Sequence, residues 1–240
     1  MNNLKIFLSF CWIIIYFSFS IITFPAITAA ENNTIKIGYI DYTGFIDKKP
    51  DGSYSGYGVD YLTQISRSTG WKYEFIYDSW DNQLKNLKEG SIDFLCHAQI
   101  TPERQKNYLF SKNSIGYEHN IVYAPLNSNY YYNDYQMFNG MNIAFLSGSS
   151  QNDQFLEWSK MHNFFYTSNL YPTEEAAFDA LNNDSVDAVV MGSLSNQKGY
   201  KIIGKFDYEP FYFMTSKQNK ELLIALDNAI TCLLYTSPSP

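Results

Sequence analysis

The residues best suited to bind a small ligand follow a short buried-strand pattern at Ile92–Leu95. A polar loop then leads into the sequence Thr-Pro-Glu-Arg at residues 101–104. Thr101 suits the N-cap of a helix and Pro102 suits the first helical position, where a backbone N–H is not needed. Such a helix directs free N–H groups and its positive dipole end at one point, and Arg104 adds a guanidinium matched to a carboxylate. This segment therefore indicates a site for a small anion, with no evident catalytic group beside it.

The same four residues also fit a purely structural role. A Thr-Pro-Glu-Arg sequence can be a well-capped helix whose Arg is simply exposed to solvent. The elements that surround Arg104 decide between the two interpretations.

Strand and helix patterns alternate along the chain, which favours an α/β fold with largely parallel sheets. Strands are predicted at Ile35–Ile40, Tyr73–Tyr77, Ile92–Leu95, Asn142–Leu146 and Val186–Met191. Helices are predicted before Gly70, before Gly90, around Phe155–Trp158 and over Glu174–Leu181. Between the two halves we predict a crossing strand at Ile121–Pro125 and a polar aromatic linker at Asn127–Gln136. The chain is then predicted to return to the first half through a segment at Tyr212–Thr215 and a helix at Lys220–Ile230.

The two halves repeat one pattern. Residues 84–95 and 178–189 align without a gap, each with an apolar-faced helix, a polar turn, Ser-(Ile/Val)-Asp and a buried strand. The pattern is also that of a common helix-to-strand turn, so it does not establish a duplication. Two similar α/β lobes nevertheless leave a crevice at the carboxyl ends of their strands, where such folds bind ligands.

The N-terminus resembles an export signal. Lys5 precedes an apolar run from Ile6 to Phe24, followed by Pro25 and small residues up to Ala30. This order predicts a secretory signal peptide at residues 1–30. The apolar run is also long enough to cross a bilayer, so an uncleaved membrane anchor is the alternative.

Charge and composition exclude several classes of partner. The chain has 24 Asp and Glu against 17 Lys and Arg, with no basic patch, which argues against nucleic acid. Its 3 cysteines are too few for a disulfide framework. His97, His119 and His162 are scattered and lack ligand spacing, so we expect no metal and no cofactor.

From about Ile35 to Ile230 the chain resembles the family 3 extracellular solute-binding proteins, which include periplasmic amino-acid-binding proteins. The matching segments occur in order: Ile35–Tyr39, Gly52–Asp60, Trp80 with Leu84, Leu87, Gly90 and Asp93, Thr101–Arg104, Phe110-Ser111, Gly148–Ser150 and Asp187–Val190. The resemblance implies the two-lobed periplasmic-binding-protein type II fold, an α/β fold in which each lobe is a mainly parallel sheet flanked by helices and hinge strands join the lobes. Lobe 1 is assigned to residues 31–122, lobe 2 to 123–211 and a return to lobe 1 to 212–230. Residues 231–240 are expected to match nothing in the family, as in a truncated or chimeric chain.

The resemblance also implies the roles of the residues around Arg104. In this family the Arg of the helix holds the ligand α-carboxylate, and groups five and seven residues upstream, here Gln99 and His97, assist it. Both replace the small residues usual at those positions. His97 is either a ligand contact or only a bulky loop side chain.

Five further residues occupy positions that line the site in the family. An aromatic on the first loop, either Tyr42 or Phe45, would stack on the ligand, and Trp80 would supply another aromatic wall. Ser149 and Ser150 would approach the carboxylate from the second lobe.

One position departs from the family pattern. Amino-acid binders usually end the Asp-Ala-Val-Val strand with an Asp that binds the ligand ammonium, and here that position is Gly192. A buried ammonium without a counter-charge is costly. An anionic or neutral solute is therefore favoured over an ordinary α-amino acid.

The resemblance predicts an exported, extracytoplasmic protein that captures a small polar solute, an amino acid or a related carboxylate, by hinge closure and delivers it to a membrane permease for ABC-type uptake. The alternative is a sensor domain, because Gly56–Leu62 and Thr69–Phe75 resemble relatives fused to a transmembrane histidine kinase or diguanylate cyclase. A dehydratase on the same fold would need a positioned acid or base. Only Glu103 and Glu118 fall near the crevice, and the helix dipole explains Glu103, so we expect no enzyme activity.

Overall fold

The computed structural model describes residues 33–40, 42–195 and 197–236, with side chains described up to residue 233. The predicted signal peptide or anchor at residues 1–30 and the end of the tail at 237–240 lie outside this range. No helix in the described ranges has the length and apolar character needed to cross a membrane.

Eleven strands and six helices alternate along the described chain. Strands β1 to β11 span Thr34–Tyr39, Asp47–Lys48, Tyr54–Ser55, Lys72–Tyr77, Phe94–Ala98, Tyr108–Phe110, Gly116–Pro125, Met141–Leu146, Tyr166–Tyr171, Ala188–Gly192 and Tyr200–Ser216. Helices α1 to α6 span Tyr57–Thr69, Trp80–Glu89, Pro102–Asn107, Gln151–His162, Glu174–Asn182 and Lys220–Thr236. Short 3₁₀ helices occupy Tyr135–Phe138, Ser193–Ser195 and Lys217–Asn219.

A nine-stranded sheet runs through the molecule in the order β4-β1-β5-β11-β7-β10-β8-β9, with β6 also pairing β11. In the first half, β4, β1 and β5 are parallel, and the end of β11 runs antiparallel to β5 and β6. In the second half, β9, β8 and β10 are parallel, and β7 runs antiparallel to β10. The long antiparallel pair of β7 and β11, from Gly116 opposite Phe211 to Pro125 opposite Tyr200, joins the halves.

Local sequence explains where the helices of the first half begin and end. The Ser79 hydroxyl accepts from the backbone N–H of Asn82 at the start of α2, and Gly90 adopts the left-handed conformation at its end. Thr101 accepts from the backbone N–H of Arg104 at 3.2 Å, and Pro102 follows it in the first turn of α3. Leu87 of α2 is fully buried against the sheet, so Leu87→Ala would cost about 2–5 kcal/mol of stability.

Several predicted boundaries are wrong. The strand predicted at Ile92–Leu95 begins at Phe94 and continues to Ala98. The strand predicted at Ile121–Pro125 begins five residues earlier, at Gly116. The strand predicted at Tyr212–Thr215 is only the end of β11. The rest of β11 was missed because its pairing register shifts between Ile202 and Gly204 and between Phe206 and Tyr208, which interrupts the alternation of apolar residues.

Two further elements differ from the sequence prediction. Strand β9 was not predicted, because it is an edge strand of mostly polar or exposed residues that pairs only with β8. Helix α6 continues to Thr236 instead of ending at Ile230. No Gly or Pro occurs between Ile230 and Pro238 to end it earlier.

Candidate ligand-binding site

A small cavity lies where elements from both halves of the sheet meet. Its volume is about 40 Å³, enough for about three water molecules. The first half contributes residues from the ends of β1 and β5 and from the starts of α2 and α3, and the second half contributes the end of β8 and the start of α4. The lining residues are Ile40, Tyr42, Trp80, His97, Gln99, Arg104, Glu118, Leu146, Ser149, Ser150 and Gln151.

Arg104 is the permanent positive charge of this cavity. Only 8% of the residue is exposed, so the interpretation of an exposed Arg on a capped helix is wrong. Its Nη1 donates to the carbonyl oxygen of Gln99 at 3.0 Å and its Nη2 to that of Gly148 at 3.3 Å. Its Cζ lies 5.1 Å from the centroid of the Trp80 ring.

The charge of Arg104 has no close counter-ion. Within the described ranges, no carboxylate oxygen lies within 4 Å of the guanidinium. The two ion pairs formed there join Glu103 with Lys106 and Glu157 with Lys160, and neither includes Arg104. Burial lowers the pKa of Arg104 to about 10, which still leaves it charged at neutral pH. Two of its five N–H donors are used by carbonyl groups, so the guanidinium retains donors for an anion.

His97 and Gln99 surround the guanidinium with polar groups. Burial and the charge of Arg104 lower the pKa of His97 to about 4, so its imidazole is neutral at pH 7. The side-chain Oε1 of Gln99 accepts from Ser150 Oγ at 2.5 Å and from Gln154 Nε2 at 3.1 Å, which ties the two halves together. Both His97 and Gln99 line the cavity.

The structure distinguishes the two aromatic candidates of the first loop. Tyr42 lines the cavity, with its ring 5.1 Å from that of His97. Phe45 does not line it: the residue is 1% exposed and packs behind His97, against Tyr57 and Phe211. Of the two, only Tyr42 has its side chain at the cavity.

Trp80 and the loop before α4 meet beside the cavity. Trp80 Nε1 donates to the carbonyl oxygen of Gly148 at 2.9 Å, and the hydroxyl of Ser147 donates to the carboxylate of Asp81. These bonds join the first half to the second half of the sheet. They hold the cavity in a closed form.

Two polar groups of the second half face the cavity without partners. In the described part of the chain, Ser149 Oγ and Gln151 Oε1 are buried and form no hydrogen bond. Helix α4 starts at Gln151, so the backbone N–H groups of its first turn also lack helical partners. Buried polar groups that lack partners are costly, and a polar ligand would satisfy them.

Glu118 is a lining residue that the sequence placed near the crevice without a binding role. It is 5% exposed, with Tyr42 Oη donating to Oε2 at 3.3 Å and Gln99 Nε2 donating to Oε1 at 3.4 Å. Burial raises its pKa to about 7, although the hydrogen bond from Tyr42 and the charge of Arg104 act in the opposite direction. The alternation of β7, in which Glu118 and Asn120 face inward, is the signal that could have identified it.

Gly192 lies beside this carboxylate at the end of β10 rather than in the lining of the cavity. A Cβ atom at this position would overlap with Tyr42 Oη and Glu118 Oε2. The space that a side chain of residue 192 would need is therefore filled by Glu118 and Tyr42.

Other groups considered from the sequence lie away from the cavity or do not cluster. Glu103 points to the surface, where it pairs with Lys106 at 2.7 Å. Across the described ranges, no three His, Cys, Asp or Glu side chains are grouped so that they could hold a metal ion.

A cavity between two α/β halves, with a buried guanidinium and unsatisfied polar groups, is a candidate site for a small polar ligand. The fold is that of the two-lobed type II periplasmic binding proteins. The sequence of residues 35–235 matches the bacterial extracellular solute-binding proteins, family 3, and the chain belongs to this family. The matched range ends at residue 235, within the tail assigned to residues 231–240.

Solved structures of similar fold come from amino-acid-binding proteins. An ABC uptake transporter substrate-binding protein from Streptococcus pneumoniae with bound histidine has a TM-score of 0.74 and 21% identity, covering 85% of this chain and 87% of that one. An ancestral arginine-binding protein bound to glutamine has a TM-score of 0.73 and 23% identity, covering 85% and 93%. The ancestral amino-acid-binding protein AncCDT-1, a precursor of cyclohexadienyl dehydratase, has a TM-score of 0.72 and 21% identity, covering 86% and 92%. None of the curated proteins matches this chain.

Proposed function

We propose that this protein captures a small amino acid or related carboxylate in the cavity between its two halves and releases it by hinge opening. The observation that carries the proposal is the buried guanidinium of Arg104, which has no carboxylate within 4 Å in the described part of the chain. A ligand carboxylate would supply the missing counter-charge through two parallel hydrogen bonds. The ligands bound in the structures of two neighbours, histidine and glutamine, are molecules of this kind.

Hinge motion is part of the proposal because the cavity is small and lies between two halves that are hydrogen-bonded to each other. A volume of about 40 Å³ holds about three water molecules, so a larger ligand enters only when the halves separate. The bonds from Trp80 and Arg104 to Gly148 exist only when the halves are together. Ligand contacts from both halves would shift the population towards the closed form.

The test is calorimetric titration of the purified protein after a thermal-shift screen of amino acids, dicarboxylates and short peptides. Arg104→Ala removes one partner of a buried charge pair, which costs about 2–5 kcal/mol or about 30- to 4,000-fold in affinity. Arg67→Ala is the matched control, because Arg67 is exposed on α1 and bonds only to Gln64 in the described structure. Unchanged affinity of Arg104→Ala for a carboxylate ligand would overturn the assignment.

We further propose that the protein acts outside the cytoplasm and delivers its ligand to a membrane permease without changing it. Membership of an extracellular solute-binding family supports the location, and the Streptococcus pneumoniae neighbour, which serves an ABC uptake transporter, supports the role.

Loss of labelled-ligand uptake on deletion of the gene would support transport. Normal uptake combined with a lost transcriptional or cyclic-dinucleotide response would instead support the sensor role. Recovery of unaltered ligand after long incubation tests the absence of catalysis.

A further inference from the structure

We infer that Glu118 binds a positively charged group of the ligand, so that the site takes a zwitterion whose carboxylate meets Arg104 and whose cationic nitrogen meets Glu118. The inference rests on the proposed function and narrows its ligand class. It also revises the expectation, based on Gly192, that an anionic or neutral solute is favoured.

The position of Glu118 suits this role. Its carboxyl group is buried, lines the same cavity as Arg104 and extends from β7, the strand that joins the two halves. Its two hydrogen bonds, from Tyr42 and Gln99, are long at 3.3 and 3.4 Å. A carboxylate has about four acceptor positions, so Glu118 retains capacity for a ligand N–H group.

The charges of the cavity are incomplete without such a ligand. Within the described ranges, no Lys, Arg or His nitrogen lies within 4 Å of the Glu118 carboxylate. The imidazole of His97, which lines the same cavity, is neutral at pH 7, and the guanidinium of Arg104 donates to two backbone carbonyls. A purely anionic ligand would neutralise Arg104 but leave the carboxylate of Glu118 buried without a cation beside it, whereas a zwitterion neutralises both.

Gly192 explains why the carboxylate comes from β7. Because a Cβ at residue 192 would overlap with Glu118 Oε2 and Tyr42 Oη, the end of β10 cannot carry a side chain while these groups keep their places. In the family pattern, position 192 carries the Asp for the ligand ammonium. Here Glu118 brings a carboxylate to the same side of the cavity from the neighbouring strand, since Gly192 pairs with Asn120, two residues from Glu118.

A cationic ligand would also change the protonation of Glu118. The groups that face Glu118 are Tyr42 after β1, Gln99 after β5, Arg104 in α3 and the backbone of Gly192 in β10. Burial raises the pKa of the Tyr42 hydroxyl, which therefore stays protonated. Glu118 has a pKa of about 7, so near neutral pH it is partly protonated before binding. A bound cation favours the ionised form, and binding therefore releases a proton.

The test compares each L-amino acid that binds with the acid that lacks its amino group, using wild type, Glu118→Gln and Glu157→Gln. Glu157 is the matched control, an exposed glutamate on α4 paired with Lys160. We expect the acid without its amino group to bind at least 30-fold more weakly to wild type. We expect Glu118→Gln to weaken amino-acid binding by a similar factor and to remove the preference for the amino group.

A measurement on the wild type alone guards against misfolding of Glu118→Gln. For a group that titrates near 7, amino-acid affinity should fall about 30-fold from pH 8.5 to pH 5.5, and at pH 6.5 about 0.8 proton should be released on binding. Titrations in buffers of different ionisation enthalpy count that proton. Carboxylate binding that depends on Arg104 but shows neither proton release nor a preference for the amino group overturns the inference and leaves the proposed function intact. Failure of every carboxylate to bind overturns both.

Discussion

Replacing Glu118 by Gln should reshape the pH dependence of folding stability in the ligand-free protein. The pKa of Glu118 rises from its ordinary 4.5 to about 7, so between these values the folded state holds a proton that the unfolded state has lost. Stability from this group is therefore present at low pH and is lost as pH rises towards 7. Between pH 5 and pH 8 the loss amounts to about 2.5 kcal/mol.

His97 acts in the opposite direction and hides this effect in the wild type. Its pKa falls from 6.5 to about 4, so between these values the unfolded state binds a proton that the folded state does not. Stability from His97 therefore increases as pH rises from 5 to 8, by about 2 kcal/mol. The two contributions nearly cancel, and the wild type should show little net change from this pair.

Urea unfolding at pH 5, 6, 7 and 8 separates the two groups. Wild type and the Glu157→Gln control should give nearly flat profiles, whereas Glu118→Gln should gain about 2 kcal/mol between pH 5 and pH 8. For a domain of this size 2 kcal/mol corresponds to a shift in melting temperature of about 4–8 °C. A Glu118→Gln profile parallel to that of wild type would show that Glu118 does not hold a buried proton, and would refute the electrostatic description of the cavity.

Three other substitutions test individual parts of the site. Thr101→Ala removes the cap of α3 and should lower the free energy of unfolding by about 1 kcal/mol in urea titration, with an unchanged value contradicting the capping bond. Gly192→Ala forces Glu118 or Tyr42 to move, so it should lower the free energy of unfolding by about 1–3 kcal/mol and weaken ligand binding measured by calorimetry. Wild-type stability together with wild-type affinity would contradict the close approach of these groups. Ser149→Ala removes a buried hydroxyl that has no partner in the described structure, so stability should not fall while affinity drops several-fold; a fall in stability would show that the hydroxyl is already satisfied.

The sequence predicts best those parts of the site that depend on local structure. Thr101 is the N-cap and Pro102 the first residue of α3, so the place of Arg104 in the first turn follows from capping, whereas its burial does not. The Ser149-Ser150 loop likewise follows directly from the end of β8. Arg104, Ser149 and Ser150 all line the cavity.

Positions set by long-range pairing are harder to predict. Glu118 fell outside the strand predicted at Ile121–Pro125, and only pairing with the irregular strand β11 extends β7 back to Gly116 and turns Glu118 inward. The choice between Tyr42 and Phe45 is similar, because the loop after β1 has no periodic pattern. Packing of Phe45 against the distant Phe211 places Phe45 in the core and leaves Tyr42 at the cavity.

A crystal structure with an amino acid identified by the screen tests the central claim most directly. We predict a closed form in which the ligand carboxylate lies about 2.7–2.9 Å from the guanidinium nitrogens of Arg104, with the ligand ammonium on the side of Glu118. A ligand bound elsewhere, or bound in the cavity with its carboxylate turned away from Arg104, would contradict the account.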